Sequence, residues 1–219
     1  MLFKDRRDAG KQLAQRLSRY KDQKDLIVLG LARGGMVTAH ELASHLHLPL
    51  NVIVVRKIGA PNNEELALGA IAEHGEGIFN EHLITILGIP RDELQKEVER
   101  QTKILKERLN LYRGESPAPS LKEKTVILVD DGIATGASMR VAIQSVRDAG
   151  AKKIVLAVPV AAPDSLHKIQ KEVDEVVCLS SPIFFEAVGA FYRMFEQTSD
   201  DEVIHLLANS KHVPEDFQK

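Results

Sequence analysis

Between residues 126 and 138 the chain reads Val-Ile-Leu-Val-Asp-Asp-Gly-Ile-Ala-Thr-Gly-Ala-Ser. Four apolar residues end in two adjacent carboxylates, Asp130 and Asp131, and Met139-Arg140-Val141-Ala142-Ile143 then opens a helical period. A buried strand that delivers two acids to its carboxyl end puts them where open α/β sheets take their ligands. Behind them Ala134, Thr135, Gly136, Ala137 and Ser138 offer main-chain N–H groups and two hydroxyls at a helix N-terminus, a ready anion site. Gly136 lets the backbone come close to such an anion. Acids suit sugar hydroxyls and amides suit a phosphate, so the stretch points to a phosphorylated ribose. The plain alternative is an Asp pair that only caps the next helix. Nucleotide hydrolases also carry apolar-Asp-Asp, but no Gly-x-x-x-x-Gly-Lys-Ser/Thr loop occurs in this chain. Phosphoacceptor domains carry the pair near their start, not at 130.

Two further groups have the right types for anion chemistry. Ala32-Arg33-Gly34-Gly35 follows an apolar run and precedes a helical period, so it is a second anion-binding turn. Arg56 and Lys57 end another apolar run and place two cations at the carboxyl edge of the same sheet. Read singly, these are an ordinary strand-to-helix turn and a solvated strand end; beside the Asp pair they gain weight.

The elements that must position these groups alternate along the chain, the pattern of a parallel sheet with helices on both faces. Strands are predicted at 26–30, 50–55, 125–129, 153–159 and 175–179, and helices at 5–20, 36–46, 91–112, 136–149, 163–171 and 200–209. The segment 57–80 is expected as a flexible loop with a short β excursion, since small residues and Gly/Pro breakers interrupt its pattern. In the long helix, 90–113, Leu94, Val98, Leu105 and Leu109 make the apolar stripe. The spacing of Phe191 and Phe195 predicts core packing on a helix.

Composition narrows the class. With 219 residues, 44% hydrophobic and 27% charged, one filled α/β domain over 1–219 is expected. A net charge of −2 argues against a general nucleic-acid or membrane-surface binder. No run approaches 18 apolar residues and the first residues lack an apolar signal region, so a cytoplasmic protein is expected. The lone cysteine, Cys178, on a predicted strand, reads as a small buried hydrophobe, and His40, His45 and His47 lack a metal-ligand grouping.

Val126–Ser138 resembles the ribose-phosphate signature of the type I phosphoribosyltransferases. The resemblance extends through 29–35, through Val55-Arg56-Lys57-Ile58-Gly59-Ala60-Pro61, and through Ala187-Val188-Gly189-Ala190-Phe191-Tyr192. Within the family the chain is similar to a subgroup known only as predicted phosphoribosyltransferases, with no assigned base. The resemblance implies magnesium-dependent transfer of phosphoribose between phosphoribosyl pyrophosphate and a nitrogenous base. It implies that Asp130 and Asp131 hold the ring hydroxyls and favour a ribosyl centre that turns cationic, while residues 134–138 wrap the 5-phosphate. Arg33, Gly34 and Gly35 then form the pyrophosphate loop, and Arg56 and Lys57 neutralise the leaving group. Magnesium is held mainly by substrate and water, with Asp130 and Asp131 as weak protein ligands.

In this family the segment 57–80 stands where a mobile catalytic loop lies, and the tail, 180–219, forms a hood. From Gly59 to Asn80 there is no Lys or Arg, unlike the orotate type, so a purine-like base is favoured. Glu64 or Glu65 is a candidate general base, with a water-excluding loop as the plainer role. Phe184 and Phe185 are candidates to stack on the base. A homodimer with small-molecule substrates only is expected, without nucleic acid or membrane. The alternative is a non-catalytic regulator that senses phosphoribosyl pyrophosphate and acts on a nucleic-acid or protein partner through helix 91–113. That helix interleaves both charge signs, which suits a solvated or dimer-contact face better. A hydrolase of ribose phosphates lacks a residue cluster to activate water.

Overall fold

Branched apolar runs bounded by charge fold here as strands covered on both faces. The computed structural model describes residues 1–61, 63–114, 116 and 118–210, and of Glu65 the backbone. In chain order the elements are α1 (Arg6–Arg16), β1 (Leu26–Leu31), α2 (Gly34–Leu46), β2 (Leu50–Ile53), β3 (Arg56–Ala60), β4 (Asn63–Ile71), β5 (Ile78–Phe79), α3 (Glu81–Ile86) and α4 (Arg91–Arg113), followed by β6 (Thr125–Val129), α5 (Ala137–Asp148), β7 (Lys153–Val160), α6 (Pro163–Ile169), β8 (Glu175–Ser180) and α7 (Asp200–Ala208). Five strands make one parallel sheet in the order β2-β1-β6-β7-β8.

Alternate side chains of each strand serve opposite faces. Ile27, Leu29, Val126, Leu128, Ile154 and Leu156 join Met139, Ile143 and Val146 of α5 and Ile169 of α6. Val28, Ile127, Val129, Val155 and Ala157 join Leu13 of α1, Met36 and Leu42 of α2, Leu105 and Leu109 of α4, and Val203 of α7. Each such buried Leu, Ile or Val stabilises the fold by about 1.5–3 kcal/mol, so the sheet is a rigid platform for the loops at its edge.

The strand order reverses between β1 and β6. The chain leaves β1 through α2 to β2 on one side, and leaves β6 through α5 to β7 on the other. The two strands run in register, Leu26 beside Thr125 and Gly30 beside Val129. Residues 32–35 and 130–138 therefore emerge side by side at the switch point, where open sheets of this kind bind ligands.

Several expectations are corrected. The segment 57–80 holds more β structure than a loop with a short excursion: β3, β4 and β5 form an antiparallel sheet of their own in that order. The strand expected over 50–55 ends at Ile53, and Arg56 opens this second sheet. Small residues hid the alternation, yet Ala60, Leu68 and Ile84 close a separate small core. The helix expected over 5–20 stops at Arg16, with a 3-10 turn at Ser18–Tyr20. Phe191 closes a short 3-10 turn, Val188–Phe191, while Phe195 lies outside any helix, so their spacing of four is not helical packing. The short helix α3, capped by the Asn80 side chain on Leu83 N, had too few turns to show a period. Of the expected hood and tail, residues 211–219 lie outside the described residues. Among the described residues no helix is long and apolar enough to cross a membrane.

Candidate active site

Asp130 and Asp131 leave the carboxyl end of β6 together, and the Asp131 N–H donates to Asp130 Oδ1 at 2.8 Å. Burial first, and the charge of Asp131 second, push the Asp130 carboxyl well above the usual carboxylate range. Asp131 has a different setting. Its Oδ2 accepts from Arg6 Nε at 2.7 Å, with the two side chains only 13% and 11% exposed. Its carbonyl accepts the Tyr192 hydroxyl at 2.5 Å. Two adjacent, chemically identical residues are thus held in unlike environments.

The turn after β1 lies against this pair. Arg33 precedes α2, and the Ala32–Arg33 peptide is cis. A Cβ on Gly34 would run into Asp131 Oδ2, and one on Gly35 would lie 2.8 Å from Asp130 Oδ1 and 2.9 Å from Asp130 Cα. Only glycine allows so close an approach. The positive end of the 13-residue helix α2 is thereby aimed at the acids and at whatever binds over them. Arg33 Nη1 lies 3.8 Å from Asp200 Oδ1.

Beyond the acids, Gly136 takes φ 78°, a left-handed turn that starts α5 without a side-chain cap. Ser165 Oγ donates to the Ala134 carbonyl at 2.6 Å and pins the loop from α6. The Ala137 N–H reaches Thr135 Oγ1 only at 3.5 Å. Ala134, Thr135, Ala137 and Ser138 are exposed. The first-turn amides of α5 are thus left for a ligand, as the termini of helices leave them.

Arg6, Arg33, Gly34, Asp131, Phe195 and the tail residues 196–198 enclose an open groove of about 370 Å³. That volume suits a small ligand or one part of a larger one. Its wall is cationic through Arg6 and Arg33 and anionic through Asp131.

The remaining expected residues are distributed as follows. Arg56 donates through Nε and Nη2 to Gln101 Oε1 of α4 at 2.9 and 2.7 Å, so its guanidinium is turned onto that helix. Lys57, next along β3, is exposed. Glu64 pairs with Arg100 at 3.1 Å on the surface, and the Glu65 side chain lies outside the described residues. Phe184 is 90% exposed. Phe185 stacks on Phe191, ring centroids 5.3 Å apart. Cys178 is partly buried, with Sγ donating to the Ser180 carbonyl and burial pushing its thiol up.

The acidic segment also contains a strut. Arg113 Nη1 and Nη2 hold Glu73 at 2.5 and 2.8 Å, and the same guanidinium donates to Asn51 Oδ1 and the Val52 carbonyl. Glu73 therefore ties the second sheet to the end of α4 and to β2. We expect Glu73→Gln to lower stability by about 1–2 kcal/mol, as loss of one charged hydrogen-bond partner does, while turnover stays within about twofold. A melting curve beside a rate measurement checks this, and a large loss of rate at unchanged stability would give Glu73 a part in turnover instead.

Sequence reasoning missed Arg6, and it did not give Tyr192 or Phe195 a part in this site. Arg6 follows the helix cap Asp5 and belongs to no motif; it meets Asp131 across 125 residues of chain. Its guanidinium lies 3.8 Å over the Phe195 ring, a contact no spacing rule encodes.

Known proteins can now be set beside this geometry. A family model described as a phosphoribosyl transferase domain matches residues 3–193. Two Mycobacterium tuberculosis proteins, from strains CDC 1551 / Oshkosh and ATCC 25618 / H37Rv, are 44% identical over 206 residues, which is 94% of this chain and 46% of theirs. Both are named as candidate phosphoribosyl transferases with no base stated, and the chain spans about half their length. A uracil phosphoribosyltransferase of Deinococcus radiodurans is 36% identical over 72 residues, 33% of this chain and 34% of its own. The crystal structure of the TT1426 protein from Thermus thermophilus superposes with a TM-score of 0.80 at 42% identity, covering 94% of this chain and 98% of that one.

Proposed function

The chain belongs to the phosphoribosyl transferase domain family, and from that premise we propose that it moves phosphoribose between phosphoribosyl pyrophosphate and a nitrogenous base. The observation that carries this reading is the contact of Gly34 and Gly35 with Asp131 and Asp130. It sets two anion-binding turns on either side of one pair of acids, which matches a sugar bearing phosphate at one end and pyrophosphate at the other.

In this reading residues 134–138 take the 5-phosphate on main-chain amides, with Thr135 and Ser138 adding hydroxyls. Asp130 and Asp131 accept from the ring hydroxyls and lie beneath an anomeric carbon that becomes cationic as pyrophosphate leaves. The α2 amides and Arg33 receive the pyrophosphate. The two cations at the start of β3, Arg56 and Lys57, are the groups we assign to the leaving group, with Arg56 oriented by Gln101. Among the described residues no group of three His, Cys, Asp or Glu is built to hold a metal. The two acids fit a magnesium ion that arrives on the substrate's own oxygens, with Asp130 and Asp131 as weak partners. Bound there, magnesium supplies positive charge to the departing pyrophosphate.

The base follows from loop chemistry. A segment without lysine or arginine from Gly59 to Asn80 offers nothing to the carboxylate of orotate, so we favour a purine-like base, with Phe184 and Phe185 of the hood as its stacking partners and Glu65 as a further contact. The test is pyrophosphate release from phosphoribosyl pyrophosphate and magnesium across adenine, guanine, hypoxanthine, xanthine, uracil and orotate. Release with at least one purine and none with orotate is expected. Tight binding of phosphoribosyl pyrophosphate without release for any base would show a sensing protein instead.

A further inference from the structure

We propose that Arg6 is a positioning residue of this site: it fixes the Asp131 carboxylate for the ring hydroxyls and joins the first helix and the tail to the acid pair. The proposal rests on the phosphoribosyl reading above, and extends it to a residue outside every motif of the chain.

The geometry has three parts. Arg6 Nε donates to Asp131 Oδ2 at 2.7 Å. One oxygen is therefore clamped, which fixes the orientation of the carboxylate offered to the ring hydroxyls. Arg6 Nη1 donates to the Glu196 carbonyl at 2.7 Å, which brings the tail over the same spot. The Phe195 ring then covers the guanidinium at 3.8 Å, a cation–π contact that is stronger where water is excluded.

Electrostatics give this arrangement a purpose. Two adjacent carboxylates repel each other, and both repel a ligand carrying a phosphate and a pyrophosphate. Arg6 balances the charge of Asp131 without leaving the site. It cannot be a loose plug, because its side chain is 11% exposed and three partners would be lost on displacement. A lysine keeps the charge but not the fork that meets a carboxylate and a carbonyl at once while lying on a ring.

Calorimetry of phosphoribosyl pyrophosphate with magnesium tests this on the full chain, on Arg6→Ala, on Arg6→Lys and on Phe195→Leu, each with a melting curve. Arg6→Ala is expected to weaken binding by about tenfold or more, the scale of a lost charged hydrogen bond, with Arg6→Lys between it and the wild type. Phe195→Leu, which keeps the ion pair, should weaken binding less, and KM for the base should not move in any of them. If Arg6→Ala melts earlier yet binds with unchanged affinity, Arg6 is only a structural strap and the proposal fails. Tighter binding by Arg6→Ala means a plug and also overturns it. Should Arg6→Ala not fold, unchanged affinity in both Arg6→Lys and Phe195→Leu has the same force. A wild-type chain that binds no phosphoribosyl pyrophosphate defeats the underlying reading as well, an outcome distinct from equal binding by all variants.

Discussion

Asp131→Asn is expected to slow pyrophosphate release by about 10²–10³-fold, roughly 2.7–4 kcal/mol, the usual cost of removing one preorganised electrostatic group. Asparagine keeps the shape and an acceptor for Arg6 but removes the charge under the ribosyl centre. Asp130→Asn should slow the same step and, unlike its neighbour, make the protein more stable. The Asp130 carboxyl is held above the usual range by burial and by Asp131, so in the folded state its charged form is disfavoured. The sign follows from linkage: a carboxyl whose folded pKa is raised contributes stability that is present below its unfolded pKa and is lost as pH rises through the folded one. Wild type and Asp130→Asn should therefore be equally stable below about pH 4. The gap then opens in favour of the variant as pH rises, by an amount we place at about 0.5–2 kcal/mol, typical of a relieved functional site. Denaturant melts from about pH 4 to 8 measure it. Equal stability of the two proteins throughout would remove the burial argument, and full activity of Asp131→Asn would remove the mechanism.

The second large effect concerns Gly35. Within a helix, Gly→Ala ordinarily adds about 0.5–1 kcal/mol of stability, so the sign of the change is itself informative. At Gly35 the atoms in the way are Asp130 Cα at 2.9 Å and the Val129 carbonyl oxygen at 3.0 Å, which belong to the backbone at the end of β6. They cannot swing aside, and α2 must lift from the sheet. We expect Gly35→Ala to lose about 1–3 kcal/mol, as overpacking does, and to lose activity with it. Gly34→Ala makes a useful contrast. Its obstacles are Asp131 Oδ2 and, at 3.0 Å, Arg6 Nε, the ends of side chains. That variant should keep more of its stability than Gly35→Ala and bind phosphoribosyl pyrophosphate about tenfold or more weakly, because it breaks the ion pair at the carboxylate. A Gly35→Ala protein that melts later than wild type would show that the two turns are not in the contact described.

These predictions also mark how far the sequence could be read. The five parallel strands were legible because each is a short apolar run between charged or breaking residues, and local hydrophobicity is a property of the run alone. The turn that opens α5 was legible for the same reason: Gly136 and the small residues around it shape it through their own backbone. The second sheet was not, because Gly59, Ala60, Ala67, Gly69 and Ala70 carry too little side chain to show an alternation. The tail aromatics misled, since Phe191 and Phe195 sit four apart in a segment that is not helical.

The sequence by itself determined the strand that ends in Asp130 and Asp131, the amide-rich turn behind it and the glycine turn of Arg33, because each depends on neighbours within about a dozen residues. Only the tertiary structure decided that β1 lies beside β6, and so that Gly34 and Gly35 press on the two acids. Only it supplied Arg6 and Tyr192 to Asp131, and Phe195 to Arg6. Those contacts join residues that are distant along the chain, and what selects them is the burial of a sheet between two helical layers, a property of the whole chain.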